Sequence, residues 1–68
     1  MPTGTVKFYD TSRSYGFIKP DDGGPDMFVH VFELERAGIV VLVKNQRVEF
    51  ERVPHRNGSA AGHIKLLT

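Results

Sequence analysis

The chain has 68 residues, a formal net charge of +1 and no cysteine. This length predicts a single domain over residues 1–68, and the composition excludes disulfides and thiolate metal sites as supports for its core. No apolar run is long enough to span a bilayer, and the first residues lack the basic and apolar regions of a secretory signal. We therefore expect a soluble protein of the cytoplasm that makes no membrane contact.

The first two strands are predicted in the N-terminal third. Threonine, valine and aromatic residues dominate residues 3–10, which indicates a strand. A second strand follows over residues 15–20, where Tyr15 and Phe17 share one face because alternate strand residues point the same way. Gly16 between them is typical of a strand that bends or lies close to another backbone.

The third strand is predicted over residues 26–31, where Phe28 and His30 share a face. Residues 19–26 are mostly turn formers, so the second and third strands form an antiparallel hairpin with their flat side chains side by side. The aspartates of this turn lack the spacing and the terminal glutamate of a calcium loop. We predict no metal site here, and no group that shifts the pKa values of these carboxylates.

Residues 32–45 are ambiguous. Residues 32–37 are compatible with one short helical turn before Gly38. Residues 39–43 are an unbroken apolar run, and periodicity does not distinguish a buried strand from an apolar loop. The start of this run, Ile39, Val40 and Val41, is a candidate for weak self-association of an otherwise monomeric protein.

The last two strands are predicted over residues 46–53 and 59–67, with a turn at residues 54–58 that contains an Asn-Gly pair. Five short antiparallel strands leave exposed edges unless the sheet closes, so we predict an all-β fold, a five-stranded antiparallel β-barrel. The predicted interior residues are Val6, Ile18, Val29, Leu34, Val48, Phe50, Ala61 and Ile64.

Such a small barrel cannot enclose every aromatic ring, so we expect the surplus rings on an exposed face. With Lys7, Arg13 and Lys19 nearby, this face is a platform on which nucleic acid bases can stack. Residues 20–35 carry a net charge of −5, whereas the segments before and after them carry +2 and +4. Folding can place the two positive segments around one groove. Taken alone, each ring is more often buried, and each basic residue can be a solubilising charge.

Two motifs at their usual separation carry a family resemblance. Arg-Ser-Tyr-Gly-Phe-Ile at residues 13–18 resembles a first ribonucleoprotein motif, and Asp-Met-Phe-Val-His-Val at residues 26–31 resembles a second. Residues 4–10 are similar to the opening strand that accompanies these motifs, and residues 45–50 and 57–64 to the fourth strand and the start of the fifth. Over nearly its whole length the chain resembles a bacterial cold shock protein, which consists of one cold shock domain.

The resemblance implies an OB-type β-barrel that binds single-stranded RNA and DNA, acts as an RNA chaperone and regulates transcription or translation. The matching positions that contact nucleic acid are Lys7, Phe8, Tyr15, Phe17, Phe28 and His30. Arg13 and Arg56 are added as basic candidates, although a solubilising role is equally favoured for Arg56. Protonation of His30 at low pH would strengthen a phosphate contact.

Several departures from the family pattern predict a weaker or altered platform. Phe8 stands where tryptophan is usual, Val31 where a third stacking phenylalanine is usual, and Ile39 where a loop phenylalanine is common. Phe32 can replace the stacking ring that is missing at Val31 only if the end of the strand twists outward. We expect instead that Phe32 is buried. The other departures are Ser14, in place of a glycine, and Arg52, in place of a more apolar residue.

Catalysis has little support in this sequence. It offers no cysteine nucleophile, no plausible serine–histidine–carboxylate arrangement and no phosphate-binding Gly-Lys-Ser/Thr loop, so we expect neither an enzyme nor a cofactor. Its three histidines lack metal-ligand spacing. The rival interpretation is a β-barrel protein-interaction module that uses the ring face or residues 39–43. Basic side chains around the rings would favour nucleic acid over a protein partner.

Overall fold

The strands and the helix follow the predicted order along the chain. The computed structural model describes residues 2–55 and 58–67. Its elements are β1 (Thr3–Asp10), β2 (Tyr15–Pro20), β3 (Met27–His30), the helix α1 (Val31–Arg36), β4 (Arg47–His55) and β5 (Gly58–Leu66). The bounds of β1 and β2 are as predicted, whereas β3 ends at His30 because Val31 begins the helix instead of continuing the strand.

The five strands close into a barrel in the order β1-β2-β3-β5-β4. Antiparallel pairing joins β1 to β2 and β4, β2 to β3, and β4 to β5. The pairing of β3 with β5 is parallel and sets Phe28 opposite Ala60. The predicted five-stranded barrel is confirmed. Its closure differs from the antiparallel pairing that we predicted, because β4 runs antiparallel to β1 and β5 must therefore run in the same direction as β3.

The core of the barrel is apolar. All eight residues predicted for the interior are buried, and so are Met27, Leu42 and Ala60. Leu34 is the buried residue of α1, which packs against β3 and β5. The helix therefore contributes a single large side chain to the core, and its other side chains are half-buried or exposed.

Residues 39–43 form an apolar loop, so the alternative of a buried strand is wrong. Leu42 is buried in the core and Ile39 packs against it. Val40 is 91% exposed, and Val41 is exposed as well. Val43 is exposed too, so the apolar run is divided between the core and the solvent.

The fourth strand is longer than predicted. β4 continues through Pro54 and His55, which the sequence placed in a turn, and both residues pair with β5. Proline is tolerated near the end of a strand because the loss of one N–H group matters least there. Residues 56–57, and with them the predicted site residue Arg56, lie outside the described part of the chain.

A carboxylate fixes the tip of the β2–β3 hairpin to other strands. Asp21 accepts hydrogen bonds from the Arg47 guanidinium at 2.7 and 2.6 Å, and from the Thr3 hydroxyl at 2.6 Å. The bonds from Arg47, and then that from Thr3, hold the pKa of the Asp21 carboxyl well below its usual range. Since Thr3 belongs to β1 and Arg47 to β4, this contact connects the hairpin tip to both strands.

The neighbouring acids of the tip are bound in a similar way. The Gly24 N–H and the Arg52 guanidinium, each 2.8 Å from the Asp22 carboxylate, lower the pKa of that carboxyl. The Lys7 ammonium lies 2.8 Å from the Asp26 carboxylate. Our prediction that no group shifts the pKa values of these carboxylates is wrong for Asp21 and Asp22, because Arg47 and Arg52 belong to a strand that is distant in sequence.

Candidate functional site

The outer face of β2 and β3 carries a cluster of flat side chains, which we call the ring face. The register of the hairpin sets Tyr15 opposite His30 and Phe17 opposite Phe28. Ring centroids lie 5.6 Å apart for Tyr15 and Phe28, and 5.9 Å apart for Phe17 and Phe28. Side chains that are two residues apart along each strand thus meet their counterparts across the hairpin, as the alternation predicts.

Phe8 joins the ring face from β1 through a local irregularity of the strand. Strict alternation would give Val6 and Phe8 the same face, yet Val6 is buried and Phe8 is 38% exposed. The register between β1 and β2 shifts between these two residues, so that Phe8 pairs with Phe17. This bulge turns the Phe8 ring outward, with its centroid 5.6 Å from that of Phe17.

The rings are tilted against one another rather than stacked in parallel. Angles between ring planes are 47° for Phe8 and Phe17, 65° for Tyr15 and Phe17, and 70° for Phe17 and Phe28. The last two pairs are edge-to-face, which is a favoured geometry of aromatic pairs. Tyr15, Phe17 and Phe28 are half-buried, and each keeps part of its surface in solvent. The predicted exposed aromatic face is present.

Phe32 extends the ring face beyond the hairpin. Its side chain is 66% exposed, and its ring centroid lies 4.6 Å from that of His30. Our expectation of a buried Phe32 is wrong, because the helix begins at Val31 and turns the next residue outward. A predicted strand that ended at His30 would have led to an exposed Phe32, but the apolar alternation of the strand continues to Val31.

His55 is a further flat side chain beside the ring face. Its ring centroid lies 5.2 Å from that of Phe28, at an interplanar angle of 48°. The sequence analysis assigned His55 to the turn at residues 54–58, whose strongest signal is the Asn-Gly pair, and so missed it as a site residue. The extension of β4 places His55 opposite Gly58 of β5, and from there its ring reaches Phe28 on β3, the strand on the other side of β5.

His30 links the ring face to the helix. Its Nδ1 accepts a hydrogen bond of 3.2 Å from the backbone N–H of Phe32 and so caps the start of α1. Because Nδ1 is the acceptor, the neutral imidazole carries its proton on Nε2. This bond holds the first turn of α1, and with it Phe32, next to His30. The effect of low pH on binding stays a prediction.

Arg13 lies in the turn between β1 and β2, at one edge of the ring face. Asp10 organises this turn: it accepts hydrogen bonds from the Ser12 hydroxyl at 2.6 Å and the Ser12 N–H at 3.0 Å, which lower the pKa of the Asp10 carboxyl. The Arg13 guanidinium lies 3.8 Å from the same carboxylate. Ser14 has a φ of 63°, in the region that favours glycine, which gives a physical reason for the glycine usual at this position.

Basic side chains flank the rings, which is the feature that favours nucleic acid over a protein partner. Lys7 precedes Phe8 on β1, and Lys19 follows Phe17 by two residues on the same face of β2. Of the predicted site residues, the structure brings together Phe8, Tyr15, Phe17, Phe28 and His30, with Lys7 and Arg13 at the edges.

Other kinds of site find no support within the described residues. Across residues 2–55 and 58–67, no group of three or more histidine, aspartate or glutamate side chains is arranged to hold a metal ion. In that same part of the chain, no helix is both long and apolar enough to cross a membrane.

Comparison with known proteins agrees with this geometry. Residues 2–67 match the profile of a family described as the 'Cold-shock' DNA-binding domain. The probable cold shock protein A of Mycolicibacterium smegmatis is 49% identical over 98% of this chain and 100% of its own length, and the protein of the same name from Mycobacterium tuberculosis matches equally well. The cold shock-like protein CspE of Escherichia coli is 39% identical over 94% of this chain and 93% of its own.

Proposed function

Since this chain belongs to the cold-shock DNA-binding domain family, we propose that it binds single-stranded RNA and DNA by stacking unpaired bases on the ring face. One observation carries the proposal: Phe8, Tyr15, Phe17 and Phe28 lie on one outer face of the barrel, in mutual contact and open to solvent. His30 continues this surface toward the helix.

Stacking supplies most of the affinity in this proposal. Each base stacked on an aromatic side chain contributes about 1–3 kcal/mol by alanine substitution. Three or four such contacts outweigh what a net charge of +1 can supply. Paired bases hide their faces inside a duplex, so single strands are preferred. Discrimination between sequences is weak because every base has a π face.

Phosphate contacts play a smaller part. Lys7, Arg13 and Arg56 are proposed as the side chains that contact the phosphate backbone; of these, Arg56 lies outside the described residues. For a single strand, each neutralised phosphate contributes about −0.7 to the slope of log affinity against log salt. Two or three contacts therefore give a slope of about −1.4 to −2.1, which is shallow for a nucleic acid-binding protein.

The biological role follows from weak, reversible and sequence-tolerant binding. A protein that captures strands as they open disfavours their re-pairing, and it needs no nucleotide cofactor to do so. We therefore propose an RNA chaperone that influences transcription or translation of the strands it holds, acting as a monomeric single domain in the cytoplasm without enzymatic activity.

A fluorescence titration tests base stacking directly. Tyr15 lies on the ring face, whereas Tyr9 packs against the core. In a Tyr9→Phe variant, Tyr15 is the remaining tyrosine, and we expect oligothymidine to quench its emission in a saturable way. An unchanged emission at high oligothymidine concentration would contradict the proposal and favour a protein-interaction module.

The chaperone role needs a separate test. An RNA hairpin that carries a fluorophore and a quencher at its ends should open when protein is added without nucleotide triphosphate. If the hairpin stays closed at protein concentrations that saturate a single-stranded oligonucleotide, the protein binds single strands but is not an RNA chaperone.

A further inference from the structure

A cleft beside the ring face contains three lysines. It is lined by Lys7, Lys19, Lys44, Asp26, Thr5 and Asn45, together with Val6. Lys19 lies two residues beyond Phe17 on the outward face of β2, which is a step of about 6.6 Å along the strand. Asp26 precedes Phe28 by the same interval. The cleft is therefore the next row of side chains after the Phe17–Phe28 pair, on the same side of the barrel.

Backbone hydrogen bonds place Lys44 in this row. The Asn45 N–H donates to the Val6 carbonyl at 2.8 Å, and the Val6 N–H donates to the Gln46 carbonyl at 2.9 Å. These two bonds fasten the segment before β4 to β1. Asn45 has a φ of 72°, a left-handed conformation that turns the chain at this point. Lys44 is thus held beside a strand that is distant in sequence.

The charges in the cleft do not cancel. Lys7 is paired with Asp26 at 2.8 Å. Within the described ranges, 2–55 and 58–67, no carboxylate lies within 4.0 Å of the Lys19 or Lys44 ammonium. Two ammonium groups without an acidic partner therefore remain at one end of the ring face. Lysine ammonium groups are suited to phosphate as mobile point charges with several donors.

We infer that this cleft binds phosphates of the nucleic acid strand where the strand leaves the ring face, with Lys19 and Lys44 as the contacting side chains. The inference rests on the proposed function. It adds a second segment to the binding surface: bases stack from Phe32 to Phe17, and beyond Phe17 the strand is held by its backbone. Oligonucleotides that reach the cleft should bind more tightly, and with a steeper salt dependence, than those that cover only the rings.

The test compares two oligothymidines, one of about four nucleotides and one of about ten, within the range that a single OB fold accommodates. Affinities are measured between 50 and 200 mM salt for the wild type and for a Lys19→Gln/Lys44→Gln variant. Loss of two phosphate contacts should reduce the slope for the long oligonucleotide by about 1.4, so the effect of the substitutions differs about sevenfold between the two salt concentrations. The short oligonucleotide should bind both proteins alike.

An Arg36→Gln/Lys65→Gln variant is the matched control. It removes the same charge from two side chains that do not line the cleft, so it should leave the slope close to that of the wild type. A Lys19→Arg/Lys44→Arg variant keeps the charges and should also keep the slope. Melting temperatures of all variants exclude a difference in folding as the cause.

Two results would overturn the inference while leaving base stacking intact. In one, the glutamine variant and the control have the same slope for the long oligonucleotide. In the other, the glutamine variant loses affinity only for a polyglutamate peptide, which would assign the cleft to an acidic polypeptide. Failure of the proposed function looks different: Phe17→Ala would then leave the affinity of the short oligonucleotide unchanged.

Discussion

At the base of the β2–β3 hairpin, the rings of Tyr15, Phe17 and Phe28 contact one another and remain partly open to solvent. At the tip of the same hairpin, the carboxylates of Asp21 and Asp22 are engaged by side chains of other strands. The carboxylates at the acidic end thus have their hydrogen-bond partners within the protein, whereas the rings at the aromatic end keep surface that a ligand can contact. Substitutions at the two ends should therefore separate stability from binding.

Phe17→Ala should have the largest effect, and it tests the aromatic end. The ring of Phe17 contacts those of Phe8, Tyr15 and Phe28, so it links all three strands that contribute to the ring face. Loss of one stacked base costs about 1–3 kcal/mol, and we expect oligothymidine affinity to fall about 5- to 150-fold. Asp21→Asn at the tip should leave this affinity unchanged. If the two variants lose oligothymidine affinity equally, the two ends of the hairpin do not separate binding from stability.

The second prediction concerns the backbone that supports the rings. A Cβ at Gly16 would meet the Phe8 carbonyl oxygen and lie 2.9 Å from the Tyr9 Cα, and neither atom can move without shifting β1. Gly16→Ala should lower the free energy of unfolding by about 1–3 kcal/mol, as overpacking does. Gly24→Ala is the control at the tip, where the new methyl group would lie 3.1 Å from an Asp22 carboxylate oxygen, a milder approach that a shift of a few tenths of an ångström relieves. Urea denaturation of both variants should show a shifted midpoint for Gly16→Ala alone.

Phe32→Ala sharpens the comparison by asking how far the aromatic end extends. Among the described residues, the ring of Phe32 contacts that of His30, so we expect a smaller effect, a loss of oligothymidine affinity of about fivefold, at the lower limit for one stacked base. Leu67→Ala, at an exposed apolar residue after β5, should have no effect. If the affinity of the Phe32 variant is unchanged, Phe32 does not take part in base stacking, and the binding part of the ring face ends at His30.

The smallest effect should come from the acidic end, in the pH dependence of stability. The folded-state pKa of Asp21 is depressed by Arg47 and Thr3, so the stability that this group provides is present above its unfolded value of about 3.9 and is lost as the pH falls through the folded value. Asp21→Asn should therefore make the loss of stability below about pH 4 shallower. Denaturation midpoints measured from pH 7 to pH 2 check this, and an identical pH profile would contradict it.

The sequence predicted those features that depend on local periodicity. β1 and β2 have the predicted bounds, and all eight predicted interior side chains are buried, seven on strands and Leu34 on α1. Alternation set Phe17 beside Phe28. The face of a strand that a side chain occupies depends on its neighbours in the chain, so local periodicity was enough to predict this pair.

The features that the sequence did not predict depend on contacts between distant segments. The bulge before Phe8 is a property of the β1–β2 register. The Asp21–Arg47 contact requires that β4 lies beside β1. Phe32 is exposed because the chain turns into α1 one residue early, and His55 meets Phe28 only because the barrel closes between β3 and β5.

β3, which carries Phe28 and His30 of the ring face, pairs on one side with β5, setting Phe28 opposite Ala60. Until β5 is in place, β3 is therefore an edge strand. Residues 28 and 60 are far apart in the chain, so a nascent polypeptide that has just completed the hairpin still presents the unpaired backbone of β3. Unpaired edges are templates for association with other chains. A protein truncated before β5 should therefore aggregate instead of forming a smaller nucleic acid-binding domain. During synthesis, the ring face should be able to bind only after the C-terminal strand has emerged.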